Sequence, residues 1–527
     1  MIRLRQIKIN VNDYNKDLLL EKCAKKLRIK KDNIINFNIY KKSIDARDKN
    51  NILFSFIVDL KLKDESRIKI NNDILLIDED SLKYHFECTG TKKLNNKIVV
   101  VGAGPCGLIT SYMLTQNGYK VLLIERGSDV DKRDEEVENF WKNNILNENS
   151  NVQFGEGGAG TFSDGKLNTL IKDKNNYQRK VFEIFVKCGA PEEIIYENKP
   201  HIGTDKLKNM VKNIRNEIIK NGGEVRFNTT LTDINIKDNK IESIILNDNE
   251  KIDCDVLVLA IGHSARDTFK LLNKKGLNIT NKPFAVGVRI MHNQEDINLS
   301  QYGIKNHKIL GNASYKLTYT TKSGRGVYTF CMCPGGFVVN SSSSKGLLCI
   351  NGMSNYKRNE KIANSAVIVT VDSKAFGTDV FDGMYFQEKL ESIAYNTCNG
   401  LIPITLFKDY MNNTISTKFS NVYPVIKGKF EFVNLNKIFP DYINEALKEG
   451  INYFGTKIKC FNEDDAILAG VETRTSSPIR ILRNEFFESN IEGIYPAGEG
   501  SGYAGGITTS AIDGIKVFES IASKYKK

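Results

Sequence analysis

The 527-residue sequence lacks the features that would place it among membrane, secreted or metal-binding proteins. No apolar run approaches the roughly 20 residues that a membrane-spanning helix requires, and the N-terminus alternates apolar and polar residues instead of forming a signal peptide. The ten cysteines include no CxxC and no zinc-ligand spacing, which predicts reduced thiols and no metal site. We therefore expect a cytoplasmic protein without a membrane partner.

The sequence also has few prolines and no strong excess of one charge. Ten prolines stand against forty glycines, and the formal charge of +12 comes from scattered lysines rather than one basic tract. Such a mild excess is typical of a solvated surface, so composition does not favour a nucleic-acid partner. A chain of this length predicts about three domains, and its 41% hydrophobic residues exclude wholesale disorder.

Periodicity predicts an α/β fold in four segments. The first segment shows a strand at 3–10, a helix at 16–27 and strands at 36–43 and 52–62. We predict the following division: a small N-terminal α/β domain at 1–92, a Rossmann-like nucleotide-binding domain at 96–280, a β-rich domain at 281–490, and a strand, glycine turn and helix at 491–527 that complete the nucleotide-binding domain. Within the second segment, we expect Thr204 or Asp205 to cap a helix that Gly222 and Gly223 close.

A glycine motif lies in the first predicted βαβ unit. Gly102, Gly104 and Gly107 form GxGxxG directly after the apolar strand at 98–101 and open a helix. These glycines permit the tight turn, the approach of a pyrophosphate and close helix packing, and Glu125 ends the next strand, where an acid accepts a bond from a ribose hydroxyl. The unit therefore predicts a dinucleotide site, and the alternative is an accidental glycine turn.

The rest of the chain carries further motifs. They are VVGAGPCGL with LLIERG, FGEGGAGTFSDGKLNT, KPHIGTDKL, DVLVLAIGHSARD, FCMCPGGFVV, and GVETRTSSP with YPAGEGSGYAGGI. On these motifs, from about residue 97 to the C-terminus, the sequence resembles the two-domain FAD-dependent oxidoreductases, and more closely the bacterial FAD-dependent dehydrogenase family. The resemblance implies a Rossmann-like FAD-binding domain with an inserted β-rich substrate domain, FAD as cofactor, and hydride transfer with a small-molecule substrate.

The resemblance also implies a set of cofactor-binding residues. The family's Gly-Asp near the C-terminus corresponds here to Gly498 and Glu499, and its Ala-Thr-Gly turn to residues 260–262. The predicted FAD-binding residues are Gly102, Gly104, Pro105, Cys106, Gly107, Glu125, Arg126, Gly157, Gly158, Gly160, Thr161, Ser163, Gly262, Gly498, Glu499, Gly505, Gly506 and Ile507. The alternative for the glycine-rich segments is that they are flexible surface loops. Because no second GxGxxG is present, NAD(P)H as a transient electron donor must visit the same face as the substrate.

Four residues are candidates for catalysis. His201 lies in a predicted turn between Pro200 and a helix start, and His263 follows the glycine turn that ends a central strand. Either is a proton carrier or an ordinary hydrogen-bonded histidine. Cys331 and Cys333, two apart on one strand, are either a redox pair or two small packed side chains. Arg474 and Arg480 are candidates for binding a carboxylate or phosphate through two hydrogen bonds each, and the alternative is that they are surface or interdomain residues.

Two other functions remain open at this point. The basic surface and the N-terminal domain are compatible with an FAD-dependent RNA-modifying protein, which would bind RNA in a salt-sensitive way. A sensor in which FAD is structural is the third function. Substrate, direction of reaction and oligomeric state do not follow from the sequence.

Overall fold

The structure is a computed structural model that describes residues 1–169, 171 and 173–527. Across these ranges, none of the helices combines the length and the apolar character of a transmembrane segment.

An antiparallel sheet with one packed helix forms the N-terminal part. Its strand order is β2-β3-β1-β4 in the following series of elements: β1 (Ile2–Asn10), α1 (Lys16–Leu27), β2 (Ile34–Asp45), β3 (Leu53–Leu62), β4 (Ile74–Leu76) and β5 (Lys92–Lys93). Phe54, Phe56 and Val58 alternate along β3 and bury one face against Leu19 and Cys23 of the helix. The strands and the helix predicted for 3–62 agree with these bounds to within two residues, whereas β4 was not predicted.

A parallel sheet begins at residue 98. Its first elements are β6 (Ile98–Val101), α2 (Pro105–Gln116), β7 (Val121–Ile124), α3 (Val130–Asn143), α4 (Tyr177–Lys187), α5 (Thr204–Lys220), β8 (Glu224–Arg226), β9 (Leu231–Lys237), β10 (Lys240–Leu246), β11 (Glu250–Asp253), β12 (Val256–Leu259) and α6 (Arg266–Lys274). Every residue of β6, β7 and β12 is buried, as expected for parallel strands that are covered on both faces. Strands β9, β10 and β11 form a separate antiparallel sheet.

The predicted start of α5 needs a correction. Gly203, with a φ of +78°, is the N-cap, and Thr204 is already the first helical residue. A glycine stands there because a Cβ would meet the backbone of Tyr356 at 2.2 Å. The Thr204 hydroxyl therefore does not cap the helix but donates to the Ser163 carbonyl at 2.8 Å.

A larger, mostly antiparallel sheet of seven strands follows, in the order β15-β16-β19-β14-β23-β20-β22. The elements of this part are β13 (Ile279–Asn281), β14 (Phe284–Asn293), α7 (Gln294–Tyr302), β15 (Thr318–Thr320), β16 (Gly326–Cys333), β17 (Phe337–Asn340), β18 (Ile350–Met353), β19 (Ile362–Val371), α8 (Ser373–Phe376), α9 (Asp382–Thr397), β20 (Ile402–Leu406), α10 (Phe407–Met411), β21 (Ile426–Lys427), β22 (Phe430–Phe432), α11 (Asp441–Gly455), β23 (Ile467–Glu472) and β24 (Ile479–Ile481). Helices α9 and α11 pack on the sheet and were not predicted.

The C-terminal elements return to the parallel sheet. They are β25 (Ile494–Pro496), α12 (Ile507–Lys524) and β26 (Tyr525–Lys526). Strand β25 pairs with β12, which gives the order β25-β12-β6-β7-β8, and α12 packs against α2, where the Thr110 hydroxyl donates to the Gly514 carbonyl at 3.1 Å. The predicted α/β fold class, with a Rossmann-like sheet and a second β-rich region, is confirmed. The domain boundaries remain predictions.

Candidate functional site

A cavity of about 470 Å³ lies between the parallel sheet and the seven-stranded sheet. Val101, Ala260 and Glu499 line it at the carboxyl ends of β6, β12 and β25, or just beyond them. Cys331 of β16 and Glu472 of β23 line it from the other sheet. Open α/β sheets bind ligands at the carboxyl ends of their strands, so this cavity is the candidate site.

The cavity brings together most of the residues predicted from the sequence. Those that line it are Gly102, Gly104, Pro105, Cys106, Glu125, Arg126, Gly158, Gly160, Ser163, Gly262, His263, Cys331, Glu499, Gly505, Gly506 and Ile507. Gly107, Gly157, Thr161, His201, Cys333 and Gly498 do not line it. The sequence reasoning missed several of its polar lining residues, among them Asp164, Lys166, Lys199, Tyr315, Lys316 and Asn351. The contacts of the predicted residues with FAD stay predictions.

The first glycine turn is shaped by close backbone contacts. A Cβ at Gly107 would lie 1.9 Å from the Gly102 carbonyl oxygen, and one at Gly102 would lie 2.4 Å from the Ala260 carbonyl oxygen. Gly104 differs, because its nearest neighbour would be the Gly158 Cα at 3.9 Å. Gly104 is the N-cap of α2, and no side chain of the described residues caps that helix. Gly104, Pro105 and Cys106 line the cavity, so the uncapped start of the helix lies at the cavity wall. The turn therefore leaves a Cβ-free approach to a helix N-terminus, which suits a phosphate group.

Glu125 is held by three backbone amides. Its carboxylate accepts from the Ala103 N–H at 2.8 Å, from the Gly155 N–H at 2.9 Å and from the Gly127 N–H at 3.0 Å. The side chain thus ties the first glycine turn to the second glycine loop and still lines the cavity. Its bond to a ribose hydroxyl stays a prediction. The neighbouring Arg126 is paired with Asp267 at 3.0 Å.

The second glycine loop is buried from Gly155 to Gly157 and half-buried from Gly158 to Gly160, so it is not an exposed surface loop. The fully buried Arg133 of α3 donates to the carbonyl groups of Asn151, Val152, Glu156 and Gly158 over 2.6 to 3.1 Å. Arg133 was missed because nothing in a helix sequence marks one arginine as inward-facing. Its four bonds fix the backbone that runs beside α2.

The C-terminal turn is held by an ion pair that the sequence did not reveal. Asp513 of α12 accepts from the Gly498 N–H at 2.7 Å and pairs with Arg483 at 2.7 Å. Glu499, the next residue, lines the cavity. Burial raises the pKa of its carboxyl to about 7, and the positive charge of Lys282 only partly opposes this.

The two candidate histidines differ in position. His263 lines the cavity, with Nδ1 2.9 Å from the Ser264 hydroxyl. Burial, and then the positive charge of Arg474, lower its pKa to about 3, so the imidazole is neutral at pH 7 and does not titrate there. His201 lies outside the lining, stacked on Tyr356 with Nε2 2.9 Å from that residue's carbonyl oxygen. Burial also lowers its pKa.

The predicted arginine clamp already holds a carboxylate of the protein. Arg474 bonds both oxygens of Glu391 at 3.0 and 2.9 Å, and Arg266 bonds the same carboxylate. Although burial opposes it, these arginines lower the pKa of Glu391 to about 2. Arg480 instead donates to the Gly502 carbonyl at 3.3 Å.

The cysteines fall into two kinds. Burial raises the pKa of the Cys106 thiol, whose Cβ would lie 2.9 Å from a Cβ on Gly498, so Cys106 packs closely against the C-terminal turn while it lines the cavity. Cys331 reaches the cavity, and Cys333 lies fully buried behind it. All ten cysteines are free.

These features fit a flavin dinucleotide. The Cβ-free turn at Gly104 and the N-terminus of α2 would hold a pyrophosphate, and Glu125, which also lines the cavity, would face the adenosine part. The backbone of Gly158 and Gly160 would lie beside a planar ring, with α12 opening at Gly506 nearby.

Comparison with known proteins identifies relatives of the whole chain. Residues 283–475 match the family described as "FAD-dependent protein, C-terminal domain-like", residues 76–194 match "Pyridine nucleotide-disulphide oxidoreductase", and residues 1–61 match a domain of unknown function. A protein of Clostridium beijerinckii described as "Uncharacterized protein" is 48% identical over 99% of both chains.

Solved structures show more distant similarity. Glycine oxidase from Bacillus cereus is 12% identical, with 81% of this chain and 95% of that chain covered and a TM-score of 0.34. L-proline dehydrogenase from P. horikoshii is 13% identical, with 82% and 93% covered and a TM-score of 0.32. The halogenase PltM in complex with FAD is 12% identical, with 81% and 68% covered and a TM-score of 0.37.

Proposed function

Because this chain belongs to the FAD-dependent oxidoreductases, in the family that it shares with its Clostridium relative, we propose that it transfers hydride between FAD and a small-molecule substrate. FAD is the cofactor. One observation carries the proposal: a single cavity is lined both by the glycine turns of the nucleotide fold and by strands of the seven-stranded sheet. A flavin laid along the turns would face a substrate bound against that sheet.

The protein's part in this reaction is binding and orientation, since the flavin itself supplies the hydride chemistry. The N-terminus of α2 would hold the pyrophosphate, and Glu125 fixes the turn beside it. Arg133 holds the second glycine loop in place, so that the ring would meet a fixed backbone surface. Strands of the seven-stranded sheet cover the cavity from the opposite side.

Two described residues that line the cavity, Glu499 and Cys331, have pKa values shifted toward neutrality, and Glu499 is the carboxyl of the two. The Glu499 carboxyl has a pKa of about 7, so at pH 7 it both holds and releases a proton. His263 is neutral there and offers a hydrogen bond rather than a proton. His201 orients the segment around Tyr356 from outside the cavity.

The test is anaerobic reduction of the purified holoprotein by NADH, NADPH and a library of metabolites, followed by the visible absorption of the flavin. We expect one nicotinamide donor to bleach the flavin, as a transient visitor to the substrate face, and one metabolite class to exchange electrons with it. Protein without flavin absorption after reconstitution with FAD would contradict the proposal. A flavin that no donor reduces would favour a sensor, and RNA that copurifies in a salt-sensitive way would favour RNA modification.

A further inference from the structure

Strand β16 contains a β-bulge at its two cysteines. Phe330 pairs with Ala366 of β19, and Cys333 pairs with Asn364, so β16 has one residue more than its partner between these pairs. Cys331 takes up the extra residue with a φ of +45°, in the left-handed region that side chains rarely adopt. Bulges of this kind reorient side chains and are over-represented next to active sites.

The two thiols of the bulged strand differ in their access to the cavity. Cys331 lines the cavity, whereas Cys333 is 0% exposed. The buried Arg289 holds both: its Nη1 donates to the Cys331 carbonyl at 3.1 Å and lies 4.0 Å from the Cys333 sulfur. Glu472 fixes Arg289 through two bonds of 2.9 Å. The pair is therefore rigid, with one sulfur accessible from the cavity and one behind it.

The charges around the pair favour a thiolate on the accessible sulfur. The Cys333 Sγ donates to the Cys331 carbonyl oxygen at 3.3 Å. The contact between the two side chains, together with the positive charges of Lys166 and Arg289, lowers the pKa of Cys331 although burial opposes it. The same contact and burial raise the pKa of Cys333. The charged and titratable groups that face the two sulfurs are Lys166, Arg289, Asp164, Glu472 and Glu499. A nucleophilic thiolate in front of a protonated thiol is the arrangement that thiol–disulfide exchange uses.

We propose that Cys331 and Cys333 form a dithiol–disulfide centre that exchanges electrons with the bound flavin and with a small disulfide entering the cavity. This rests on the proposed function, because FAD is the electron partner. The Cys333 Sγ lies 3.3 Å from the Cys331 carbonyl oxygen, and the two side chains are in contact, so a disulfide between them needs only a local adjustment of the bulge.

The exchange is balanced in both steps. The Cys331 thiolate attacks one sulfur of the small disulfide, and the other sulfur leaves as a thiol. The Cys333 thiol then loses its proton and attacks the Cys331 sulfur, which releases the second thiol. The resulting protein disulfide takes two electrons and two protons from the reduced flavin and returns to two thiols. The net result is one disulfide reduced and one reduced flavin oxidised.

The first experiment counts electrons. Holoprotein is incubated with hydroxyethyl disulfide, freed of reagent and titrated anaerobically with dithionite. We expect the wild-type protein to take up two more electrons per flavin than Cys331→Ser, because the buried Cys333 alone forms no disulfide. Cys333→Ser keeps a mixed disulfide on Cys331 and takes up as many electrons as the wild type. Cys349→Ser, which removes another buried thiol, is the control and retains the wild-type value. Equal uptake by the wild type and Cys331→Ser overturns the proposal.

The second experiment can be decided on the wild-type protein alone. Trypsin releases residues 326–345, GVYTFCMCPGGFVVNSSSSK, which contain these two cysteines and no other. After hydroxyethyl disulfide treatment, mass spectrometry of the wild-type peptide shows an internal disulfide, and Cys333→Ser shows a single mixed disulfide on Cys331. Two alkylatable thiols in the treated wild-type peptide overturn the proposal. The flavin's own reduction by dithionite is read separately, so failure of the dithiol centre is distinct from failure of the proposed function.

Discussion

Glu125 shows how one side chain connects two parts of the candidate site. Its two oxygens accept three backbone N–H groups, from the turn after β6 and from the loop at 155. A buried carboxylate with charge-assisted bonds to amides stabilises the backbone that it joins. Its position therefore explains why an acid ends β7, independently of any bond to a ribose.

Glu499 gives a prediction for the dependence of stability on pH. Folding raises its pKa from an ordinary 4.5 to about 7, so the folded state favours the protonated carboxyl. The resulting stability is full below about pH 4.5 and is lost as the pH rises through 7, by up to about 3 kcal/mol. We expect Glu499→Gln to remove this loss and to exceed the wild-type free energy of unfolding at pH 8 but not at pH 5.

Urea unfolding followed by circular dichroism at equal flavin loading measures this difference. Glu485→Gln is the matched control, because Glu485 is exposed on the same segment and should leave the pH profile of the wild type unchanged. A Glu499→Gln profile parallel to that of the wild type would show that Glu499 does not titrate between these pH values.

Residues of the site could be predicted only where the sequence carries a local signal. Gly102, Gly104 and Glu125 belong to one motif with fixed spacing, and the structure places all three at the cavity. Arg133 and the Arg483–Asp513 pair carry no such signal, because each joins segments that are distant along the chain or faces inward from an ordinary helix. The neutral state of His263 depends on burial and on Arg474, which a sequence does not show.

At the scale of the element, two glycines in the turn from β6 into α2 have different roles, because Gly107 is needed for folding and Gly104 for cofactor binding. A Cβ at Gly107 would overlap the Gly102 carbonyl at 1.9 Å, whereas one at Gly104 would have the Gly158 Cα at 3.9 Å as its nearest neighbour. We expect Gly107→Ala to give little folded protein. Gly104→Ala should fold with a loss of about 1 kcal/mol at this N-cap and bind FAD at least about tenfold more weakly, because its methyl group occupies the path of the pyrophosphate.

Fluorescence titration of the apoprotein with FAD and thermal unfolding measure the two effects. Gly276→Ala is a further comparison, since its Cβ would meet nothing within 4 Å, it lies away from the lining, and only its φ of +87° is strained. Wild-type affinity for FAD in Gly104→Ala would mean that the phosphate does not approach this turn.

Helices and strands whose apolar residues follow one clear spacing were predictable, and those whose spacing is interrupted by glycine and asparagine were not. The alternating apolar residues of β3 and the continuous apolar run of β12 gave strands close to the observed bounds. Helix α11 was missed although Ile443, Leu447 and Ile451 follow a helical spacing after Pro440, because the surrounding glycines and asparagines resembled strand breaks. The bulge at Cys331 was not predictable, since it depends on pairing with β19.

At the scale of the whole molecule, the parallel sheet is assembled from both ends of a long insertion. Strand β25 joins β12 only after more than two hundred intervening residues, yet it supplies the turn that carries Glu499 into the cavity. The family resemblance implied this return, because the C-terminal glycine motif belongs to the flavin site. The position of the N-terminal sheet was not implied, since it depends on contacts between distant segments, among them the Lys42 N–H that donates to the Tyr196 carbonyl at 2.7 Å and the packing of Leu310 on the N-terminal core.

The contacts of residues 84 and 86 lead to a prediction about the N-terminal boundary. The sequence predicts a first domain at 1–92, but residues 84 and 86 pack on the apolar cluster of the parallel sheet, and the Tyr84 hydroxyl donates to Glu519 of α12 at 2.8 Å. A chain that begins at Asp78 should therefore keep its flavin and its visible spectrum, with a lower melting temperature because Leu310 and Tyr302 lose their cover.

A chain that begins at residue 93 should lose stability further, because it also lacks the Tyr84 contacts. Flavin content and thermal unfolding of the two truncated proteins distinguish these outcomes, and a chain from Asp78 that folds but binds no FAD would place the N-terminal sheet within the cofactor-binding unit.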